Sequence, residues 1–126
     1  MSPIVPDSNI WISWLLNDLG SERFSGLFAE DNQVIVPGVV VYEVTRWLLV
    51  RGRIAIARQA RERMERMMLV PLDGNLASRA ALVAAEHRLA LADAMILATA
   101  REYDAEVWTQ DVDFANVPGV RRFERL

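Results

Sequence analysis

Short apolar runs alternate with helical patterns along the whole chain, and this alternation constrains the fold more than any other feature. Five runs have the length and composition of strands: residues 4–7, 33–36, 68–72, 106–109 and 120–123. Between them, apolar residues recur at intervals of three and four, as on one face of a helix. Strands that alternate with helices build a mostly parallel sheet. We therefore expect an α/β fold, a three-layer α/β/α arrangement around a sheet of four to five strands.

The helical patterns cover residues 10–19, 24–28, 39–50, 54–67, 76–84 and 91–100. The first begins directly after Asp7, and we expect Ser8 or Asn9 to cap it, because their side chains can accept hydrogen bonds from free helix amides. Pro37 cannot continue a central strand but suits a position just ahead of a helix. The chain shows no internal repeat and no linker. It is therefore expected to form a single domain over residues 1–126.

Composition excludes several classes of protein. The chain is 52% hydrophobic, which argues against disorder, and has no apolar run near the ~20 residues of a membrane span. No signal segment is evident, so we expect a cytoplasmic protein without membrane contact. With no cysteine and a single histidine, His87, neither a disulfide framework nor a thiolate or imidazole-rich zinc site is available. The net charge of −3 argues weakly against a broad nucleic-acid-binding surface.

Four acidic residues lie on four separate elements, and the fold can bring them together. Asp7 ends the first strand, Asp111 follows the fourth, Glu43 lies on the helix after the second, and Asp93 begins a late helix. Right-handed crossovers place these strand ends at the same edge of the sheet. Clustered carboxylates repel one another unless protons or cations neutralise them. An all-oxygen ligand set favours Mg²⁺ or Mn²⁺ over zinc, and paired hard ions of this kind cleave phosphodiesters.

Each acidic residue also has a simpler interpretation when it is taken alone. Asp7 could be a helix cap, and Asp93 could interact favourably with the dipole of its helix by a few tenths of a kcal/mol. Glu43 could be a surface residue, and Asp111 with Asp113 could form a turn. The four positions together favour the metal-site interpretation over these four separate ones.

The combination of motifs resembles the PIN-domain ribonucleases, and among them the VapC toxins of bacterial toxin–antitoxin pairs. Asp7-Ser8-Asn9 matches the family's opening Asp, which follows a short strand. Glu43, a few residues beyond a strand and Pro37, matches its middle glutamate. Leu91-Ala92-Asp93-Ala94 and the Thr-x-Asp-x-Asp-Phe segment from Thr109 to Phe114 match its later motifs. The resemblance covers nearly the whole chain, and no acidic position is lost.

This resemblance implies a PIN-like fold and a Mg²⁺- or Mn²⁺-dependent endoribonuclease. A metal-activated water would attack a phosphodiester of single-stranded or loop RNA. The metal would be surrounded by four carboxylates, those of Asp7, Glu43, Asp93 and Asp111. Asp113 would support the site through a metal-bound water. Three polar side chains would orient the carboxylates: Ser8, Asn9 and Thr109.

The resemblance also implies partners, and a few other residues suggest contacts. A cognate antitoxin would neutralise the enzyme, and a homodimer is expected, with Trp14 or Trp47 near the contact. Arg46, one turn beyond Glu43, is a candidate contact for RNA phosphate or for the antitoxin. The arginine-rich helix within residues 51–66 is more consistent with a solvated, self-paired face, because Arg and Glu recur four residues apart. His87 is not expected to be catalytic.

Other functions remain possible from the residues alone. A phosphate-accepting receiver or phosphatase needs a lysine-type counter-ion, and all 14 basic residues here are arginine. A catalytically silent α/β binding module would not need every acidic position. A PIN-fold RNA-processing nuclease outside any toxin–antitoxin pair would need the same acidic residues. Cleavage of RNA that a chelator abolishes separates the nuclease interpretations from the others.

Overall fold

A computed structural model describes residues 2–29 and 33–126 of the protein. Within these residues the strands are β1 (Ile4–Pro6), β2 (Ile35–Pro37), β3 (Met68–Val70), β4 (Glu106–Thr109) and β5 (Val120–Arg122). The helices are α1 (Ser8–Leu16), α2 (Gly38–Val50), α3 (Ile54–Glu65), α4 (Gly74–His87) and α5 (Leu91–Glu102). Two 3₁₀ turns, Ser21–Phe24 and Val112–Phe114, complete the regular structure. No helix in this part of the chain has the length and apolarity needed to cross a bilayer.

All strand pairs are parallel, as the alternation of strands and helices predicts. β1 pairs with β4 and β4 with β5, while β2 pairs with β3. A parallel bridge between Ile4 and Val34 connects the two groups, so the order across the sheet is β3-β2-β1-β4-β5. The expected mostly parallel sheet of four to five strands is therefore confirmed.

The strand order creates a switch point between β1 and β4. After β1 the chain continues to β2 on one side, and after β4 it continues to β5 on the other side. Connections that leave two adjacent strands in opposite directions open a crevice at the carboxyl ends of those strands, where α/β proteins bind ligands. β1 is followed by Asp7, and β4 by Gln110 and Asp111. The topology thus brings two of the predicted acidic positions to one crevice.

The central strands are buried on both faces, which requires helices on both sides of the sheet. Val5, Val36 and Val107 are fully buried, and the adjacent Ile35 is only 2% exposed. Helix α5 packs against β1, β2 and β4 with small side chains, including Ala94, Ala98 and Ala100. Small residues let the helix approach the strands closely, and α5 carries Asp93 in its first turn. The expected three-layer α/β fold is confirmed.

The structure differs from the predicted elements at several ends. Asp7, rather than Ser8 or Asn9, occupies the N-cap position of α1, because its extended backbone makes it the last residue before the helix. The helix expected over residues 24–28 is replaced by the 3₁₀ turn Ser21–Phe24, which follows Gly20 at a positive φ of 85°. Helix α4 begins at Gly74 rather than residue 76, because Asp73 caps it by accepting from the Leu76 amide at 2.8 Å. Apolar spacing does not reveal such polar first turns.

Candidate metal centre

Asp7 is the most tightly held acidic residue of the crevice. Its backbone N–H donates to the Trp108 carbonyl at 2.8 Å, which extends the pairing of β1 with β4 by one residue. Its Oδ1 accepts from the Ser8 amide at 2.7 Å, at the start of α1. The residue is only 3% exposed. Asp7 is therefore both the N-cap of α1 and a candidate site residue. Its Oδ1 caps the helix, and its Oδ2 faces β4.

The side chains predicted to orient the carboxylates all contact Asp7. The Thr109 hydroxyl donates to Asp7 Oδ2 at 2.7 Å, and Asn9 Nδ2 donates to the same oxygen at 3.2 Å. The Ser8 hydroxyl lies 3.4 Å from Oδ1. Thr109 Oγ1 also accepts from the Asp111 amide at 3.0 Å. One hydroxyl group thus links the residue that follows β1 to the residue that follows β4.

Gln110 belongs to this network, and the sequence interpretation assigned it no role. Its backbone N–H donates to Asn9 Oδ1 at 2.9 Å, and its Nε2 donates to the Asn9 carbonyl at 3.3 Å. Both bonds fix the start of α1 against the end of β4. Its role could have been predicted from its position between Thr109 and Asp111, since a residue between two site residues is held close to the same crevice.

Three of the predicted ligands come together as a compact cluster. Asp7, Asp93 and Asp111 each offer a carboxylate oxygen, and these three oxygens lie within 4.8 Å of one another. They come from the end of β1, the first turn of α5 and the segment after β4. Asp111 caps the 3₁₀ turn that follows, because its Oδ1 accepts from the Asp113 amide at 2.9 Å.

The other predicted acidic residues lie outside this cluster but near it. Glu43, on α2, is half-buried, and its Oε1 is buried without a hydrogen-bond partner among the described residues. Burial raises the pKa of Glu43, and the negative charge of Asp7 raises it further. Asp113 is exposed and contributes its amide to Asp111 rather than its carboxylate to the cluster. Glu43 and Asp113 therefore form an outer part of the acidic crevice.

Two carboxyl groups of the crevice, those of Asp93 and Asp7, resist ionisation. Burial, with added repulsion from Asp7, Asp111, Glu43 and Asp113, raises the pKa of Asp93 to about 7. Burial also raises the pKa of Asp7, although the hydrogen bonds from Thr109 and Ser8 oppose that effect. Such a group of carboxylates is neutralised at neutral pH either by protons or by a cation.

The donor set fits a hard divalent ion. All the available ligand atoms are carboxylate oxygens, which Mg²⁺ and Mn²⁺ prefer. Mg²⁺ binds oxygen at about 2.1 Å, so two oxygens on one ion are about 3.0 Å apart when adjacent and about 4.2 Å apart when opposite. The three oxygens lie within 4.8 Å of one another, so small side-chain rotations would bring them onto one ion. The unpartnered Oε1 of Glu43 is a further oxygen that a ligand or its water could satisfy.

The sequence also singled out Arg46, His87 and the arginine-rich helix α3. Arg46 is exposed on α2, and its guanidinium makes no hydrogen bond or ion pair within residues 2–29 and 33–126. His87 lies at the end of α4, and its Nε2 is 3.1 Å from Arg101 Nη2 and 3.6 Å from Glu86 Oε1. Of the helix pairs expected on α3, Arg61 and Glu65 form an ion pair at 3.2 Å with both side chains well exposed.

The tryptophans expected near a dimer contact both have partners inside the chain. Trp14 stacks on Phe28 with 4.3 Å between ring centroids, and Arg63 lies 4.6 Å above its ring. Trp47 is covered on one face by Arg51 at 3.8 Å. Packing inside the chain therefore covers part of each tryptophan ring. Each side chain remains partly exposed, and a partner could contact that part.

Comparison with known proteins identifies the domain from sequence. A family model described as the PIN domain matches residues 4–120, which is nearly the whole chain. The matched range includes Asp7, Glu43, Asp93, Asp111 and Asp113. Among curated proteins, no sequence matches this chain significantly.

Solved structures share the fold over almost their full length. One chain of a toxin–antitoxin complex from Klebsiella pneumoniae gives a TM-score of 0.82 at 23% identity, covering 97% of this chain and 99% of that chain. VapC20 from Mycobacterium tuberculosis, described as a sarcin-ricin loop cleaving toxin, gives 0.78 at 19% identity, covering 93% and 96%. A DNA-bound VapBC complex from Salmonella typhimurium gives 0.75 at 18% identity, covering 98% of both chains. At these identities the similarity shows a common fold.

Proposed function

The chain belongs to the PIN domain family, and on that premise we propose that it is a Mg²⁺- or Mn²⁺-dependent endoribonuclease of the VapC toxin type. The observation that carries this proposal is the cluster of Asp7, Asp93 and Asp111 oxygens at the switch point of a parallel sheet. Three carboxylates from three separate elements, one of them buried, are costly without a cation, and their common position therefore favours a metal-binding function.

The proposed chemistry follows from the oxygen ligands. A bound divalent ion supplies a Lewis acid that lowers the pKa of a coordinated water and offsets charge on a phosphodiester. Asp7, Asp93 and Asp111 are the residues that would hold the ion. Thr109, Asn9 and Ser8 keep the Asp7 carboxylate oriented through their hydrogen bonds. Glu43 and Asp113 extend the acidic surface, and we propose that they bind the ion through water.

The substrate and partner classes are part of the same proposal. VapC20 cleaves the sarcin-ricin loop, as its description states, and other structures of the same fold are toxin–antitoxin complexes. We propose that this chain likewise cleaves RNA in the cytoplasm, in a single strand or an exposed loop, and that a cognate antitoxin inhibits it. Arg46, exposed one turn beyond Glu43, is proposed to contact RNA phosphate or the antitoxin. A homodimer is proposed as the assembled form.

A cleavage assay with purified protein tests the enzymatic part. Mn²⁺ should support cleavage of single-stranded RNA, EDTA should abolish it, and Asp111→Asn should lower kcat/KM by roughly 100-fold or more, as expected when a ligand is neutralised. Asp104→Asn, an exposed residue in the turn before β4, is the matched control and should cleave like the parent. Cleavage that survives EDTA, or that Asp111→Asn retains in full, contradicts the metal-dependent mechanism.

Expression in cells separates the toxin from an RNA-processing nuclease of the same fold. The parent should arrest growth when expressed alone, and the Asp111→Asn variant should not. Co-expression with the product of a neighbouring short reading frame should restore growth to the parent. An enzyme that cleaves RNA in vitro but affects growth no more than Asp111→Asn does would support the RNA-processing alternative. No cleavage by the parent in Mn²⁺ or Mg²⁺ would support a non-catalytic binding module.

A further inference from the structure

A cavity opens directly beside the acid cluster. It has a volume of about 580 Å³ and is lined by Asn9, Gln110, Asp111, Val112, Arg122, Glu124 and Arg125. Asp111 belongs to both the cavity and the acid cluster, so the two are continuous. Any chain that runs through the acidic crevice and past Asp111 therefore meets the side chains at the end of β5 and just after it.

The arginines of this cavity are tied to the strand that carries the site. Arg122 is paired with Thr109 in the parallel ladder of β4 and β5. The next residue, Phe123, donates its amide to the Thr109 carbonyl at 2.7 Å. Thr109 in turn holds Asp7 and the Asp111 amide through its hydroxyl. The backbone at Arg122 is thus fixed relative to the proposed metal ligands.

Aromatic packing also holds the segment after β5. The ring of Phe123 lies 5.2 Å from that of Phe24 and 5.0 Å from that of Trp108. Arg23 donates to the carbonyl of Glu124 at 2.8 Å. Because the backbone is held on both sides of Arg122, less conformational entropy is lost when its side chain binds a ligand.

The two cavity arginines are exposed and unpaired within the part of the chain that the structure describes. Across the described residues, the side chains of Arg122 and Arg125 form no hydrogen bond and no ion pair, although Glu124 lies between them in sequence. Their neighbour Arg121 differs, because its guanidinium lies 4.8 Å from the Trp108 ring and 4.7 Å from the Phe123 ring. Two exposed guanidiniums at the edge of a strongly acidic crevice are suited to a polyanion, whose phosphates the carboxylates alone would repel.

We propose that Arg122 and Arg125 form a phosphate-binding subsite for the RNA strand beside the scissile phosphodiester. This inference rests on the proposed ribonuclease function and adds residues that neither the family motifs nor the acid cluster identify. Val112, which lines the same cavity and is 67% exposed, gives the bound nucleotide an apolar contact. The subsite explains how a chain with a net charge of −3 holds RNA against an acidic centre.

The test compares three variants in two assays. The double variant Arg122→Ala/Arg125→Ala removes the subsite, Arg122→Lys/Arg125→Lys keeps its charge, and Arg121→Ala is the matched control from the same strand. Binding of a short fluorescent single-stranded RNA is measured in EDTA over a range of salt concentrations. Cleavage of the same RNA is measured in Mn²⁺, and thermal melting checks that each variant is folded.

The double alanine variant should bind RNA roughly tenfold more weakly. The slope of log K against log salt concentration should become less steep by about 0.7 for each phosphate that the protein no longer neutralises. Its KM should rise by a similar factor while kcat stays near the parent value. The double lysine variant should keep the salt dependence but bind less tightly, because lysine cannot form the two parallel hydrogen bonds that arginine forms with phosphate. Arg121→Ala should bind RNA like the parent.

Several results would overturn the subsite. These are an unchanged KM and salt dependence in the double alanine variant, an equally large effect in Arg121→Ala, or a parent protein that binds no RNA. If the double alanine variant keeps its RNA binding but escapes inhibition by an antitoxin, the two arginines belong to a protein interface instead. A parent that binds RNA through these arginines but does not cleave it would contradict the proposed ribonuclease and leave the subsite supported.

Discussion

Thr109 joins the two halves of the proposed site through a single hydroxyl group. It donates to Asp7 at 2.7 Å and accepts from the Asp111 amide at 3.0 Å, and the residue is fully buried. A buried hydroxyl with both a donor and an acceptor role has no substitute among apolar side chains of the same size. Thr109 therefore fixes the orientation of the Asp7 carboxyl group, and in the proposed metal centre it would act through Asp7.

Replacing Thr109 with Val should impair the site more than the fold. The variant leaves an oxygen of Asp7 and the amide of Asp111 without their partner, so Mn²⁺ affinity and kcat/KM should each fall by roughly 10- to 100-fold. The free energy of unfolding should fall by about 1–3 kcal/mol. Calorimetric titration with Mn²⁺ and denaturant unfolding measure the two effects. Thr109→Ser keeps the hydroxyl and is the control. Equal metal affinity in Thr109→Val and the parent would contradict the orienting role.

The raised pKa of Asp93 should make the stability of the protein depend on pH. The ordinary pKa of the carboxyl group is 3.8, and in the folded protein it is about 7. At low pH the group is protonated in both states and does not affect stability, but as the pH rises from 3.8 to about 7 it increasingly lowers the free energy of unfolding. Without metal, the parent should thus be less stable at pH 8 than at pH 5. Because the side chain is partly exposed, solvent screening limits the cost to about 1–2 kcal/mol, or roughly 4–8 °C in Tm.

Asp93→Asn should reduce this pH dependence and should melt above the parent at pH 8 in EDTA. Thermal melting of both proteins from pH 4 to pH 8 is the measurement. The raised pKa values of Asp7 and Glu43 act in the same direction, so some slope should remain in the variant. If the slope is as steep in Asp93→Asn as in the parent, then Asp93 is not the strained group that its surroundings indicate.

At the scale of elements, α5 determines where Asp93 lies. The helix rests on β1, β2 and β4 through small side chains, and Ala98 is only 2% exposed. Such close packing leaves no room for a longer side chain, because protein interiors are packed to crystal-like density. The small residues of α5 therefore fix the distance between its first turn and the strand ends.

A larger residue in this contact should destabilise the domain. Ala98→Leu should lower the free energy of unfolding by about 1–3 kcal/mol through overpacking. Leu91→Ala, at a position of the same helix that is 73% exposed, should change it by less than about 0.5 kcal/mol. Urea unfolding followed by circular dichroism measures both. A parent-like midpoint for Ala98→Leu would mean that α5 does not pack closely on the sheet.

Across the whole molecule, the sequence correctly predicted those features that depend on one periodicity or on one topological rule. The β-branched runs placed all five strands within one or two residues, and the helical spacing identified α2, α3 and α5. Asp7, Asp93 and Asp111 could be expected to meet, because strand ends in a parallel sheet share one edge. None of these steps required knowledge of side-chain contacts.

The features that the sequence did not reveal depend on local backbone geometry. Asp7 caps α1 because its backbone is extended with ψ of 162°, which spacing alone does not predict. Glu43 lies outside the three-oxygen cluster, and a sequence motif does not specify the distance between side chains from different elements. Gln110 is held by Asn9 at the start of α1, and Arg122 lies beside Thr109 through the pairing of β4 with β5. Such contacts join residues far apart in sequence.

Isothermal titration of the metal-free parent with Mn²⁺ tests whether Asp7, Asp93 and Asp111 bind a divalent ion. Performed at pH 7 in buffers of different ionisation enthalpy, the titration reports both affinity and protons released. The parent should bind Mn²⁺ saturably and release about half a proton from Asp93, whose pKa lies near the working pH. Asp93→Asn should bind at least roughly tenfold more weakly and should no longer release that proton. Absence of binding by the parent, or equal affinity and proton release in both proteins, would contradict the account.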